Sequence, residues 1–278
     1  MTRCLIVNAD DFGRTQGVSD GILDAHLKGI VTSTSAMMNL PETRQHVAQA
    51  LSKAPDLGIG VHLNLTAGPP VLAAEQVPDL VDSQGLFNGY AKLCARIGRL
   101  PIDQVQAEWR AQIDEMIATG VEPDHLDSHH FVVELSPELW ELYLGLARDL
   151  RVPVRGPRPP RVGHQKLLPT GDSPEALSFD RARALLRESG VTTSDGLRVD
   201  FYGEDANQEL FEHLLQQLPH GVTEVMTHPG KPDGELAKLS SYVEPRLAEF
   251  EVLTSRATRM AVEAGQINLV SFRDALRG

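Results

Sequence analysis

Apolar residues along this chain fall into two alternating patterns, short unbroken runs and longer stretches in which they recur every three or four positions. Unbroken runs suit strands covered on both faces, as parallel strands are, and the wider spacing suits helices with one buried face. The first run, Cys4-Leu5-Ile6-Val7, leads into Asn8-Ala9-Asp10-Asp11-Phe12-Gly13 and predicts a core strand. Val18, Ile22, Ala25 and Leu27 predict a helix ending at Gly29, and Ile30 to Met38 a turn with a second strand. Val47, Ala50 and Leu51 place a helix over Thr43 to Ala54, stopped by Pro55-Asp56. A third strand, Leu57 to Leu63, carries His62 near its carboxyl end.

The stripe Val105, Trp109, Ile113, Met116 and Ile117 predicts a helix over Gln104 to Gly120 with Trp109 in the core. The densest group of ligand-type residues, Asp124-His125-Leu126-Asp127-Ser128-His129-His130, then falls at a strand end or its loop. A helix over Pro137 to Leu150 and a short strand over Val152 to Arg155 follow. Helical runs near Glu175 to Ser189 and Asn207 to Leu218 flank a strand at Leu197 to Tyr202. Val222 to Met226 predicts a strand leading into Thr227-His228-Pro229-Gly230. One long helix over Ser241 to Ala264 and a last strand over Ile267 to Phe272 complete the chain. Strands alternating with helices imply an α/β fold with a mostly parallel sheet, and 278 residues fit one barrel domain.

Two stretches interrupt the alternation. Residues 67–101 hold only a weak helical signal near Tyr90 to Ile97, and a connection this long is expected to lie over the site, shaping a substrate pocket or a subunit contact. Residues 156–172, rich in Pro, Arg and Gly, form a second excursion. No internal repeat is visible.

Composition narrows the partners. The net charge of −12 disfavours nucleic acid, whose binding needs clustered Lys and Arg, and points to a neutral or cationic substrate. No apolar run approaches a membrane span. The first strand begins after Met1-Thr2-Arg3, which leaves no room for a signal peptide and implies a cytoplasmic protein. Cys4 and Cys94 are the only cysteines, too few for a disulfide framework or thiolate metal site, and read as core filler. His26, His46, His164, His213 and His220 lie in helical or polar surroundings that favour surface roles.

The chemistry lies where apolar runs stop. Adjacent strand residues point to opposite faces, so Asp10 and Asp11 have separate jobs unless the backbone bends, and Phe12-Gly13 is the expected place for a bend. The same pair also suits a turn that caps the following helix. Carboxylates after strand one, His62 on strand three and imidazoles after strand four converge on one rim if the strands are parallel. Two imidazoles and a carboxylate suit a divalent ion with positions open for water and substrate. His62 alone reads more readily as a packed histidine, and Asp127 equally as a turn residue bonding its own backbone.

The motifs Asn8-Ala9-Asp10-Asp11-Phe12-Gly13, Gly29-Ile30-Val31-Thr32-Ser33-Thr34, Gly60-Val61-His62-Leu63-Asn64-Leu65-Thr66, His125-Leu126-Asp127-Ser128-His129-His130 and Thr227-His228-Pro229-Gly230 occur in this order. Together they resemble the YdjC-like carbohydrate deacetylases, a family that includes chitooligosaccharide deacetylases and a hopanoid-associated branch. The resemblance runs from residue 4 to about residue 230. It implies an irregular, TIM-barrel-like (β/α) barrel and one divalent metal ion, Mg²⁺ or Zn²⁺, on Asp11, His62 and His129. It also implies Asp10 as general base and His228 as general acid, with His125, Asp127 and Arg155 as supporting or substrate-side groups. The implied reaction is metal-assisted hydrolysis of the acetamide of an N-acetylated sugar, and a homodimer is compatible with the family. Many members carry a third histidine where Phe131 stands here, which leaves substrate contact at that loop open.

In that scheme Asp10 takes a proton from water, and His228, with an ordinary pKa near 6.5 that neighbouring carboxylates are expected to raise, protonates the amine. Two rival readings use the same residues. A non-haem iron oxygenase also takes two histidines and a carboxylate, but has no need of Asp10 beside them. A non-catalytic sugar-binding protein needs no set of acid, base and metal ligands. The Asp-Phe-Gly triplet has no kinase-type glycine loop or catalytic loop with it.

Overall fold

The computed structural model describes residues 2–160 and 176–276. Seven strands form one parallel sheet among these residues: β1 (Arg3–Phe12), β2 (Ser33–Ala36), β3 (Gly58–Leu63), β4 (Leu126–Ser128), β5 (Gly196–Arg198), β6 (Gly221–Thr227) and β7 (Ile267–Leu269). β1 is the axis of the sheet, which runs β4-β3-β2-β1-β6-β5, and β7 pairs with the start of β1. Parallel bridges from Leu126 to Val154 and from Val154 to Thr193 carry the sheet round towards β5. The result is an irregular (β/α) barrel whose strands share one C-terminal rim.

The helices are α1 (Gln16–Lys28), α2 (Thr43–Lys53), α3 (Tyr90–Cys94), α4 (Ile102–Ile117), α5 (Pro137–Leu150), α6 (Phe179–Ser189), α7 (Gln208–Gln216), α8 (Leu236–Leu239), α9 (Glu244–Thr254), α10 (Arg256–Ala264) and α11 (Phe272–Leu276). Their ends follow local chemistry: Thr15 Oγ1 caps α1 by accepting from Val18 N, and Ser136 with Pro137 starts α5. A contiguous cluster of buried apolar side chains extends from Leu5 to Ile267 and includes Trp109 and Trp140. Among the described residues no helix is long and apolar enough to cross a membrane.

Several expectations change. The helix expected over Ser241 to Ala264 is two, because Ser255 is extended (ψ 150°) and its hydroxyl accepts from Thr258 N to cap α10. The strand expected at Val152 to Arg155 shrinks to the bridges at Val154, beside a Pro153 that has no N–H to give a ladder. β7 stops at Leu269, and Phe272 instead opens α11, its ring stacked 3.9 Å from that of His125. Leu27, Leu51 and Ile117 are exposed rather than on the buried faces of their helices. His46 is buried, its Nδ1 3.1 Å from Ser19 Oγ, whereas His213 and His220 are exposed; His164 lies outside the described residues. Cys4 and Cys94 are partly buried. Residues 67–101 pack Val77, Leu80, Phe87 and Leu93 into the core.

Glycine matters most at position 60. A Cβ there would lie 2.5 Å from the His125 ring, in the middle of the barrel. Gly60→Ala is expected to destabilise the fold by about 1–3 kcal/mol through overpacking, read as a lowered urea midpoint at unchanged slope.

Candidate active site

Asp10 and Asp11 end β1 on the C-terminal rim, and the backbone bends at Asp11 itself. Asp11 has φ 72°, and the β1–β2 register shifts between Ala9 and Phe12. The bend was expected at Phe12-Gly13; it falls earlier, at a residue type that tolerates the left-handed region better than most. The consequence is that two adjacent carboxylates serve one site instead of opposite faces of the sheet.

Asp11 Oδ1 lies 3.0 Å from His129 Nδ1 and 3.5 Å from His62 Nε2, and these two nitrogens are 3.3 Å apart. Donors about 2.0–2.1 Å from one tetrahedral ion stand about 3.4 Å apart. The three atoms therefore have the spacing of one face of a metal polyhedron. Asp11 Oδ1 and His129 Nε2 are also buried without a hydrogen-bond partner, a cost that an ion on this face would relieve on the carboxylate side. A divalent cation fits this donor set. A second close trio, Asp10, His62 and Asp127, does not, because the Arg155 guanidinium already fills it.

The surrounding shell orients the donors. His62 Nδ1 is 2.8 Å from Asp127 Oδ1, which holds that ring proton and leaves Nε2 facing Asp11. Asp127 Oδ2 in turn accepts from Ser35 Oγ (2.7 Å) and faces Arg155 Nη1 (3.0 Å), so Asp127 is no turn residue. His125 is fully buried behind Ser35, 3.1 Å from its Oγ, and His125, Asp127 and Arg155 all sit behind the cavity wall rather than on it.

Arg155 grips Asp10 with two hydrogen bonds of 2.7 Å, and its Nε donates to Glu224 Oε1 at 2.6 Å. Asn8 Nδ2 adds a third bond to Asp10 Oδ1 at 2.9 Å. His228 Nε2 lies 4.0 Å from Asp10 Oδ2, with its Nδ1 unpartnered. Burial depresses the His228 pKa to about 4, and the attraction of Asp10 does not offset it. The resting imidazole is thus neutral at pH 7, contrary to the expectation that carboxylates would raise its pKa.

The cavity that holds Asp10, Asp11, His62, His129 and His228 also has Arg14, Arg158 and Arg246 in its wall. No residue of 67–101 lines it; that segment approaches the site at Tyr90, edge-on to His130 at 5.4 Å. Of residues 156–172, those from 161 lie outside the described residues, and Arg158 stands 4.6 Å above the Phe131 ring. Phe131 joins Leu197, Val199 and Met226 in a small apolar cluster beside the cavity. Sequence reasoning missed Arg246, Tyr242 and Glu249. Arg246 Nη2 pairs with Asp11 Oδ2, and Glu249 accepts from Tyr242 Oη and His228 N. A signal existed: Arg246, Glu249 and Leu253 recur on the buried side of a helix that otherwise reads as structural.

Protons compete with a cation for this site. Burial alone would lower the His62 pKa, but Asp127, Asp11 and Asp10 outweigh it and raise the value to about 10. Burial lowers that of His129, and the Asp11 carboxyl is held well below its usual range because His129 and Arg246 overcome desolvation. At neutral pH one proton, that of His62, must therefore leave when a metal binds. Zinc affinity is expected to tighten about tenfold per pH unit between pH 6 and 8. Calorimetry in buffers of different ionisation enthalpy should count one proton released, and a pH-independent affinity would contradict this assignment.

Residues 4–264 match the family model of YdjC-like proteins. The chain is 35% identical to a carbohydrate deacetylase of Brevibacillus brevis over 97% of its own length and 98% of the relative's. It is 33% identical to a chitooligosaccharide deacetylase of Proteus mirabilis over 99% of its length and 100% of the relative's. A crystal structure from Enterococcus faecalis V583, described as a candidate cellobiose-phosphate cleavage protein, superposes with a TM-score of 0.84 at 34% identity, covering 98% of both chains.

Proposed function

The chain belongs to the YdjC-like protein family, and from that premise we propose that it is a metal-dependent carbohydrate deacetylase that hydrolyses the acetamide of an N-acetylated amino sugar. The observation that carries this reading is the triangle of Asp11, His62 and His129 donors beside an Asp10 carboxylate that Arg155 holds rigid. The proposal includes one Zn²⁺ or Mg²⁺ ion on that triangle, a homodimer and a cytoplasmic setting, with the whole chain as one domain.

A bound divalent ion would polarise the acyl carbonyl and acidify water. In this reading Asp10 is the base: its two oxygens are fixed by Arg155 and Asn8, so it meets an incoming water without rearranging. Asp10 Oδ2 lies 4.0 Å from His228 Nε2, and a neutral His228 can accept the acquired proton, with a water molecule spanning the gap, and pass it to the leaving amine nitrogen. Starting neutral suits that order, since the imidazole must take the proton before giving it. Asp127 keeps His62 in one tautomer throughout. An oxygenase would make no use of the Arg155-held Asp10, and a binding module none of the donor triangle.

The test is acetate release from a panel of N-acetylated mono- and oligosaccharides, with metal-loaded and chelator-stripped protein compared. Release that requires the metal is the expected result. A metal-loaded protein that releases no acetate from any sugar would overturn the reading.

A further inference from the structure

Arg246 is a buried charge that this scheme leaves unused. Its side chain is 3% exposed, and two of its three guanidinium nitrogens are tied down: Nη2 to Asp11 Oδ2, and Nε to Tyr242 O at 3.2 Å. Nη1 is buried with no partner among the described residues, and Arg246 is one of the residues that line the cavity. A buried donor without an acceptor costs about 1–3 kcal/mol. The side chain cannot swing away to find one. Arg246 O accepts from Gly230 N at 3.1 Å, and Gly230 packs so closely that a Cβ there would lie 3.3 Å from Arg246 Cδ.

A fixed, unpartnered N–H donor on a residue that lines the cavity, with Asp11 of the donor triangle on its neighbouring nitrogen, has the form of a preorganised group for charge that appears during reaction. We propose that Arg246 is a catalytic residue whose Nη1 donates to the acyl oxygen of the substrate as that oxygen becomes negative; this rests on the deacetylase reading. Water's oxygen bonds to the acyl carbon, the carbonyl π pair moves onto the acyl oxygen, and the water proton goes to Asp10. The charged oxygen then accepts from Nη1. When the C–N bond breaks, the pair returns to re-form the carbonyl and the amine nitrogen takes the proton. The guanidinium keeps all its protons, and Nη2 holds Asp11 still while Nη1 does this.

Two variants separate this role from simple support of Asp11. Arg246→Lys keeps a cation beside Asp11 on a single nitrogen, with no second nitrogen at the place of Nη1, and Arg246→Ala opens space for added guanidinium ion. At saturating zinc, kcat of Arg246→Lys is expected to fall about 10²- to 10³-fold, with KM within threefold and calorimetric zinc affinity within about tenfold. Millimolar guanidinium should restore part of the kcat of Arg246→Ala. A kcat at saturating zinc that stays within threefold of wild type in Arg246→Lys, with zinc affinity alone reduced, would overturn the proposal and leave Arg246 as a support for Asp11. If wild-type protein releases no acetate, the deacetylase reading falls and takes this proposal with it; turnover by wild type with unaffected variants removes this proposal alone.

Discussion

Replacing Asp10 by asparagine is expected to lower kcat for acetate release about 10³-fold, with zinc affinity within about tenfold of wild type. The size of the loss follows from what surrounds the carboxylate. Both oxygens accept from Arg155 at 2.7 Å, and Oδ1 also accepts from Asn8 at 2.9 Å. An asparagine fits the space, but its amide nitrogen would turn a donor towards either an Arg155 N–H or the water it should deprotonate. Asp10 stands outside the triangle of Asp11, His62 and His129, so metal binding has no direct reason to fail. Acetate assays at saturating zinc, run beside a calorimetric zinc titration, check both halves. Full activity in this variant would remove Asp10 as the base.

Arg155→Met is expected to destabilise the fold by about 3–5 kcal/mol at pH 8. One buried guanidinium pairs with Asp10, Asp127 and Glu224 together, at 2.7, 3.0 and 2.6 Å. Burial by itself would depress the Arg155 pKa; those three carboxylates hold it well above the usual range instead. A methionine fills similar space and leaves three buried carboxylates without their cation. Without that cation the Glu224 carboxyl is raised further, because Arg155 is what opposes the effect of its burial. Glu224 starts raised by burial even with Arg155 present. A group of that kind is stable when protonated and loses stability as pH climbs through its folded pKa. The deficit should accordingly be smaller at pH 5 than at pH 8. Urea denaturation of wild type and variant at both values reads it, and an equal or opposite pH trend would show that the carboxylates are not the cause.

The overall charge of −12 does not describe the pocket itself. It points to a neutral or cationic substrate, with which the neutral N-acetylated sugar proposed here agrees, while Arg14, Arg158 and Arg246 stand in the wall of the cavity alongside Asp10 and Asp11. Net charge sums the solvated surface, whereas a pocket is set by the few groups that burial brings face to face.

The donors were legible because parallel strands align their ends. An apolar run followed by Asp10-Asp11, another bearing His62, and a third segment ending in Asp127-Ser128-His129 must share a rim once the strands lie side by side. Their mutual distances were not legible. These depend on the left-handed turn at Asp11, which no spacing of apolar residues records. Phe131 stood out in the sequence as a departure from the family pattern, but its apolar neighbours Leu197, Val199 and Met226 come from two later strand regions.

The sequence by itself determined the alternation of strands and helices, the parallel barrel, and which residue types stand at the ends of β1, β3 and β4, because periodicity and turn chemistry act within a few residues. Only the tertiary structure decided that Arg155 binds Asp10 and that Arg246, 235 positions along the chain, binds Asp11. It also decided that His228 rests as a neutral imidazole. Pattern along a chain reports which faces are buried; which buried charges meet, and how far burial moves their protons, depends on the whole low-dielectric surroundings that folding assembles.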